Sequence, residues 1–287
     1  VGDINCNKFE YIYDKPIDIL IKASNGASDY GNKIGEPLIS GYTRSYGKIH
    51  NDKRIEFVKP IMYSGGIGYI YENDILKTEP EFGMIVTRVG GPAYPIGLGG
   101  GSSSSRNQDT INKDSDFNAV QRGDPQMENK VCRFVKSCID LNENPILSIH
   151  DQGSGGMGNV TKEIVCPHGG IVSLDNINLG DKNMSSNEIW NAEYQEQCTI
   201  LIKPKSLTII KDIAKRENIN LEFIGVVTND NLISVYSSRD KVMFPVKMNL
   251  NNILEHIPTK TYTLTEYIYN NNDIICCPDN FKTYLED

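Results

Sequence analysis

The sequence has no run approaching the about 18 consecutive apolar residues that a bilayer crossing needs. It also has no basic stretch followed by an apolar one at its start, so neither a membrane span nor a secretory leader is expected. The first residue is Val1 rather than Met, and a piece of a longer protein is expected. There is no C-x-x-C pair. The seven cysteines, Cys6, Cys132, Cys138, Cys166, Cys198, Cys276 and Cys277, are scattered, and with only four histidines no zinc-ligand spacing forms. An odd, dispersed set of thiols reads as reduced cysteine in a cytoplasmic protein. Basic residues are in the minority, 29 against 37 acidic, for a net charge of -8. That argues against a nucleic-acid-coating protein but leaves a local phosphate site open. Internal repeats are absent, and so is a Walker phosphate loop, since no Gly-Lys-Ser/Thr follows the glycines.

What remains is an ordinary globular chain of 287 residues, 39% apolar and 23% charged. At about 150 residues per domain this predicts two domains. Residues 1–88 carry short β-prone runs: Asp18–Lys22, Arg54–Met62, Gly68–Tyr71 and Gly83–Val89 are strand candidates, and Ser24–Pro37 reads as a long loop. The second half, 89–246, alternates helix and strand. Asp124-Pro125 is an N-cap and first-turn pair opening a helix with Met127, Val131, Phe134, Val135, Cys138 and Leu141 on one face. Pro145–Ile149 predicts a buried strand, Asn159–Val165 a helix and Gly170–Leu174 a strand. Ser185-x-x-Glu188 is a capping box. Gln197–Ile202 predicts a strand and Ser206–Glu217 a helix. Leu221–Thr228 and Asn231–Tyr236, joined by an Asn-Asp turn, read as a hairpin. The Asn-rich end, 247–287, reads as a linker.

Three stretches have the residue types for chemistry. The first runs from Gly90 to Arg106, with Gly97, Gly99, Gly100 and Gly101 followed by serines. Successive glycines let N–H groups converge on an anion, with Arg106 as an added donor; the bland reading is a flexible linker. The second is His150-Asp151-Gln152-Gly153-Ser154-Gly155-Gly156. An apolar strand delivers Asp151 at its C-terminal end beside close-approach glycines, which suits a Mg²⁺ that also touches a phosphate. The bland reading has Asp151 capping the next turn. The third pairs Asp116–Pro125 with Trp190–Glu196. The carboxamides of Gln121 and Gln195 both donate and accept, as holding an amide substrate requires, although two exposed surface glutamines are the commoner case.

Together these stretches resemble one family, the phosphoribosylformylglycinamidine (FGAM) synthases of the large, single-chain type. The resemblance runs through Asn25–Pro37, Gly41–Tyr46 and Gly65–Gly68, and is strongest over Gly90–Ser105, Asp116–Glu128, His150–Asn159 and Glu188–Glu196. It implies an aminoimidazole-ribonucleotide-synthetase-like fold of the α+β and α-β sandwich class. A partial ferredoxin-like N-terminal domain (1–88) would precede a two-layer C-terminal sandwich (89–246) and a linker toward a second half (247–287).

The resemblance further implies an ATP- and Mg²⁺-dependent ligase that amidates FGAR to FGAM with glutamine-derived ammonia in purine synthesis. It makes Asp151 the metal ligand and Gln121, Glu193 and Gln195 the FGAR contacts. Ser40, Gly41, Tyr42 and Arg106 become nucleotide contacts. The family's histidine motif and its Gly-rich nucleotide loop are expected ahead of Val1, and no glutaminase motif of the G-x-C-x-x-G type occurs in the chain, so the isolated chain is expected to be inactive. Two departures stand out: Tyr194 replaces the family's Ser between Glu193 and Gln195, and Glu36 replaces a common Arg. Two alternatives remain. One is a non-catalytic or divergent segment that only binds nucleotide or substrate. The other is a different member of the superfamily, such as a selenophosphate synthetase or thiamine-phosphate kinase, against which the Val120–Pro125 segment argues.

Overall fold

The computed structural model describes residues 15–57, 60–105, 117–120, 123–194, 196–255 and 259–263. Two compact units divide the chain, Val1–Glu255 and His256–Asp287, and the second is described only at 259–263, where the backbone is irregular. Among the described residues no helix is long and apolar enough to cross a membrane.

The first unit begins with helix α1, Pro16–Ile34, followed by strands β1 (Ser40–Arg44), β2 (Gly47–His50), β3 (Lys53–Glu56) and β4 (Ile61–Gly65). Here the sequence reading needs correction. Asp18–Lys22 is not a strand and Ser24–Ile34 is not a loop; both belong to α1. Pro16 supplies a preset first turn. The helix ends at Gly35, whose left-handed φ of 87° lets its N–H reach the Gly31 carbonyl. Gly31 lies where a Cβ would come within 2.7 Å of the Glu36 carbonyl, so these glycines close a helix rather than open a loop. β1 pairs antiparallel with β4, and β2 with β3. Gly68–Tyr71 forms no strand.

The rest of the unit is built on a seven-stranded sheet. Its strands are β5 (Ile85–Gly90), β6 (Ser148–Asp151), β7 (Gly170–Ser173), β8 (Gln197–Ile202), β9 (Asn220–Val227), β10 (Leu232–Tyr236) and β11 (Val246–Asn249), in the spatial order β11-β10-β7-β9-β5-β8-β6. Its helices are α2 (Gly100–Ser105), α3 (Pro125–Ile139), α4 (Gly156–Ile164), α5 (Ser186–Asn191), α6 (Leu207–Glu217) and α7 (Leu250–Leu254). Side chains alternate across β8 as strand geometry requires. Cys198, Ile200 and Ile202 pack with Val131 and Phe134 of α3 and Ile210 and Ile213 of α6. Leu201 packs with Met157 and Ile164 of α4 and Ile189 and Trp190 of α5. The α/β sandwich is therefore present, with helices along both faces of its sheet rather than one.

The two caps read from sequence form as hydrogen bonds. Asp124 accepts from the Met127 N–H (3.1 Å), and Ser185 and Glu188 make the reciprocal capping box. The expected β9–β10 hairpin does not form. β7 lies between them, antiparallel to β9 and parallel to β10. The turn at 228–231 is real, but its N–H groups donate to the 168–169 backbone: Thr228 to the Gly169 carbonyl (3.0 Å) and Asn231 to the His168 carbonyl (2.8 Å). Gly169, at φ 103°, permits this approach, because a Cβ there would sit 2.8 Å from the Leu232 nitrogen. The Asn-rich stretch after 247 continues the sheet as β11 and then caps α7, with Asn249 Oδ1 accepting from the Asn251 and Asn252 N–H groups. The sequence-based limits at 88/89 and 246/247 thus fall inside β5 and at the start of β11.

Candidate functional site

The glycine-rich segment after β5 is a built structure, not a linker. It wraps the carboxylate of Glu193, which is 3% exposed. The Glu193 N–H donates to the Ile96 carbonyl (3.1 Å). Its Oε1 accepts from the N–H groups of Gly101 (3.0 Å) and Gly155 (3.0 Å). Glycine is required at this contact. A Cβ on Gly97, at φ 67°, would lie 2.8 Å from Glu193 Cβ, and one on Gly100 would lie 2.5 Å from Oε2. The same Gly100 position is 3.0 Å from the Ala119 carbonyl, and Gly101 abuts Ser154. One buried carboxylate therefore joins two of the segments selected from sequence, the loop at 97–101 and the strand-to-helix turn at 153–155, and Gly100 in turn brings that loop against Ala119. A carboxylate accepting two backbone N–H groups fixes loop geometry with charge-assisted bonds. Part of the hydrogen-bonding capacity of Glu193 is thus spent on the loops.

A second junction lies beside it. Glu196, also buried and at φ 58°, accepts from the Tyr30 hydroxyl of α1 (2.6 Å). A Cβ on Gly123 would be 2.8 Å from Tyr30 Cε2 and 3.6 Å from Glu196 Oε1. So Gly123 at the entry to α3, Glu196 and Tyr30 in the last turns of α1 meet. Burial, the bond to Glu196 and the charges of Glu196, Glu128 and Asp124 all hold the Tyr30 phenol above its ordinary range.

Asp151 ends β6, paired in register with Cys198 on β8, and its side chain is 91% exposed. The strand end is fastened by His150, whose Nδ1 lies 2.8 Å from the Asp151 carbonyl and whose Nε2 lies 2.8 Å from Glu163 Oε2 on α4. Asp151 faces an acidic neighbourhood. Burial pushes the Glu128 carboxyl up, against the Cys132 thiol that bonds it, and the charges of Glu196, Glu36 and Asp151 push it further. Burial likewise raises the Cys132 and Cys198 thiols to about 12, so neither is a thiolate near neutral pH. No group of three or more His, Cys, Asp or Glu among the described residues makes a complete metal cage. Asp151 offers one open carboxylate, and Mg²⁺ needs only one or two together with water and phosphate oxygens.

Tyr194 turns into the core. Its ring is buried, its hydroxyl donates to the Ile189 carbonyl (3.3 Å), and the Arg88 guanidinium lies 5.3 Å from its ring centroid. Sequence reasoning missed Arg88, which is 1% exposed. It bonds Gln197 and Glu222 and donates to the Gly91 carbonyl (2.5 Å), tying the start of the glycine loop to β8 and β9. Its only signal was a lone cation inside the apolar run of β5. Tyr30 and Glu196 were missed as well.

Ser40, Gly41 and Tyr42 lie on β1 and line a separate cavity of about 440 Å³ between α1 and the β1–β4 pair. Tyr42 stacks on Tyr63 with centroids 5.2 Å apart, and the Arg44 guanidinium is 5.0 Å from the Tyr42 ring. Gln121, Gln195 and Arg106 lie outside the described residues. Gly123 and Glu196, which flank the two glutamines, are brought together.

Residues 81–237 match the family model for AIR synthase related protein, C-terminal domain. The phosphoribosylformylglycinamidine synthase of Dictyostelium discoideum is 48% identical over 280 residues, 92% of this chain and 20% of that protein. The Homo sapiens protein of the same name is 41% identical over 269 residues, again 20% of its length. The chain thus spans about a fifth of the curated relatives it matches. Among solved structures, Thermotoga maritima PurL complexed with FGAR superimposes with a TM-score of 0.63 at 21% identity, over 84% of this chain and 40% of that one. PurL complexed with ATP gives 0.58 at 20% identity, over 84% of this chain and 37% of that one. These two likenesses speak to the fold. Since the family model takes in the whole span from the start of β5 to the end of β10, and more than half of the sequence, the chain belongs to the AIR synthase-related family and carries its C-terminal domain.

Proposed function

We propose that this chain is a segment of an FGAM synthase, an ATP-dependent ligase that converts FGAR to FGAM in purine synthesis with ammonia released from glutamine. The observation that carries the reading is the match over nine-tenths of the chain to relatives bearing that name. The site supports it from below. An amide oxygen is a poor leaving group until it is phosphorylated, after which ammonia can displace phosphate. Such a reaction needs amide-reading groups, a phosphate-tolerant loop and an oxygen ligand for a cation in one place. Gln121 and Gln195 are the amide readers in this scheme, flanking the Gly123–Glu196 contact. Glu193 holds the glycine loops that face the substrate, and its own contact with FGAR is through whatever acceptor capacity they leave.

Asp151 would hold Mg²⁺, which supplies charge compensation on the transferring phosphoryl group. Ser40–Tyr42, in their aromatic-lined cavity, and Arg106 are proposed for nucleotide. The free thiols Cys132, Cys138, Cys166 and Cys198 fit a reducing compartment, and the cytoplasm is proposed, while an Arabidopsis thaliana relative carries a chloroplastic/mitochondrial name. The glutaminase is expected elsewhere in the longer protein, or in a partner.

The test is an FGAM assay with FGAR, ATP, Mg²⁺ and glutamine. A longer protein that carries this chain should turn over, and the isolated chain should not. Asp151→Asn in the longer protein keeps shape and removes charge. It should lose about a hundredfold in kcat/KM, the scale of losing one charge-stabilising group, with unchanged circular dichroism. No FGAM from the longer protein overturns the reading; wild-type Mg²⁺ dependence in Asp151→Asn overturns the metal assignment alone.

A further inference from the structure

We infer that His150 is a positioning residue for Asp151, fixing the peptide that follows the cation ligand and anchoring it to α4 through Glu163. The inference rests on the reading of Asp151 as the Mg²⁺ ligand and deepens it. The peptide unit between Asp151 and Gln152 is held at both ends. The Asp151 carbonyl lies 2.8 Å from His150 Nδ1, and the Gln152 N–H donates to the Gln197 carbonyl of β8 at 2.9 Å. A carbonyl oxygen can only accept, so the ring nitrogen facing it is the donor. A peptide unit is planar, so bonds at its two opposite edges fix its rotation, and with it the ψ of Asp151.

Glu163 sets the ring in turn. Its Oε2 lies 2.8 Å from His150 Nε2, and it belongs to the last turn of α4. Since α4 begins at Gly156, the His150–Glu163 contact spans the whole turn that carries the chain from β6 into the helix. That turn is glycine-rich, with Gly153, Gly155 and Gly156, and glycine gives it little stiffness of its own. The clamp across its ends supplies the stiffness. The Asp151 carboxylate is left out of these bonds. His150 Nδ1 is 3.8 Å from Asp151 Oδ1, against 2.8 Å to the carbonyl, and the Asp151 side chain is 91% exposed. A ring bonded to the carboxylate would compete with a cation for it. A ring bonded to the backbone aims the carboxylate and leaves its oxygens open. Groups that orient a metal ligand without touching the metal change metal affinity by about 10- to 100-fold.

The experiment uses the longer protein with a non-hydrolysable ATP analogue. Mn²⁺, which takes the same oxygen ligands as Mg²⁺, is titrated in and its free form read by electron paramagnetic resonance, with melting temperatures as a check on the fold. The site lost in Asp151→Asn is the one followed. His150→Gln sets its amide nitrogen near Nε2, so it reaches Glu163 but not the Asp151 carbonyl, and the site should weaken about tenfold. His150→Asn sets its amide nitrogen where Nδ1 stands and should stay within about threefold of wild type. Glu163→Leu frees the ring and should weaken the site about fivefold. A purely structural clamp would lower the melting temperatures and leave Mn²⁺ affinity alone. Wild-type Mn²⁺ affinity in His150→Gln overturns the positioning role while leaving Asp151 as the ligand; should that variant not fold, the same result in Glu163→Leu does so. His150→Asn as weak as His150→Gln overturns it too. Mn²⁺ binding unchanged by Asp151→Asn overturns the metal assignment and this role with it. Because the readout is binding, it is separate from FGAM turnover, which tests the function.

Discussion

The two halves of the described unit are built to different standards of burial. In the sandwich, β5 and β8 bury both faces, and Phe134 of α3 is fully inaccessible. In the N-terminal region, α1 and the β1–β4 pair leave Ile17, Leu20, Ile21, Leu38, Ile39, Met62 and Tyr63 exposed, with Met62 at 60%. Exposed large apolar side chains are thus concentrated on the N-terminal elements. The sandwich is held by its own core. The N-terminal region is held where α1 touches α3 and at the Tyr30–Glu196 contact, and its apolar face is unspent.

The sharpest way to break this contrast is by truncation of one side chain in each half. Phe134→Ala should cost about 3–5 kcal/mol, the range for a buried aromatic, while Met62→Ala in the isolated chain should stay within about 0.5 kcal/mol. Urea unfolding of the two variants measures both, and equal costs would erase the distinction. A smaller effect is expected at the glycine loop. Gly97→Ala puts a Cβ against Glu193 at a positive φ, and strain of this kind costs about 1–3 kcal/mol. Its unfolding midpoint should fall, and in the longer protein its FGAM activity should fall further than its stability does.

The smallest effect is electrostatic and changes sign with the usual expectation for an acid. Burial first, then the charges of Glu196, Glu36 and Asp151, raise the Glu128 carboxyl in the folded state. A raised carboxyl favours folding when protonated. Its contribution is therefore most favourable below the ordinary glutamate range and is lost as pH climbs through the raised value. Glu128→Gln should accordingly stabilise the chain at pH 7 relative to wild type, and the gain should shrink as pH falls through the raised value and be gone below the ordinary glutamate range. Thermal melts across pH test this; a gain independent of pH would point to packing instead.

Local chemistry was legible in the sequence where its partners are local. Asp124 with Met127 and Ser185 with Glu188 are three residues apart, and both caps could be read directly. The strand at Gln197–Ile202 was likewise readable from its apolar run. α1 was misread because Ile17, Ile19 and Ile21 alternate like a strand and Gly26 and Gly31 look like breaks. Packing against α3 and the closing turn at Gly35 decide otherwise, and neither is visible in a short window. The β9–β10 turn was readable, but a turn does not report whether a third strand enters between its arms. Asp151 and the glycine-rich turns could be nominated from sequence because their residue types stand next to one another. Arg88 was not, since Gln197 and Glu222 lie more than 100 residues downstream and only the folded sheet makes them neighbours. Tyr30 and Glu196 escaped notice for the same reason.

The strand order has a consequence for how the chain is made. β5 is completed at Gly90, yet its two neighbours are β8, which begins at Gln197, and β9, which begins at Asn220. On the ribosome an apolar strand destined for the middle of the sheet must wait for more than 100 further residues before either flank can be paired. β7 waits as well, since its partners β9 and β10 come after it. Such sequence-distant pairing makes for slow folding. It also leaves the β5 run and the glycines behind it open to capture by other nascent chains, at the stage when chaperones are most needed.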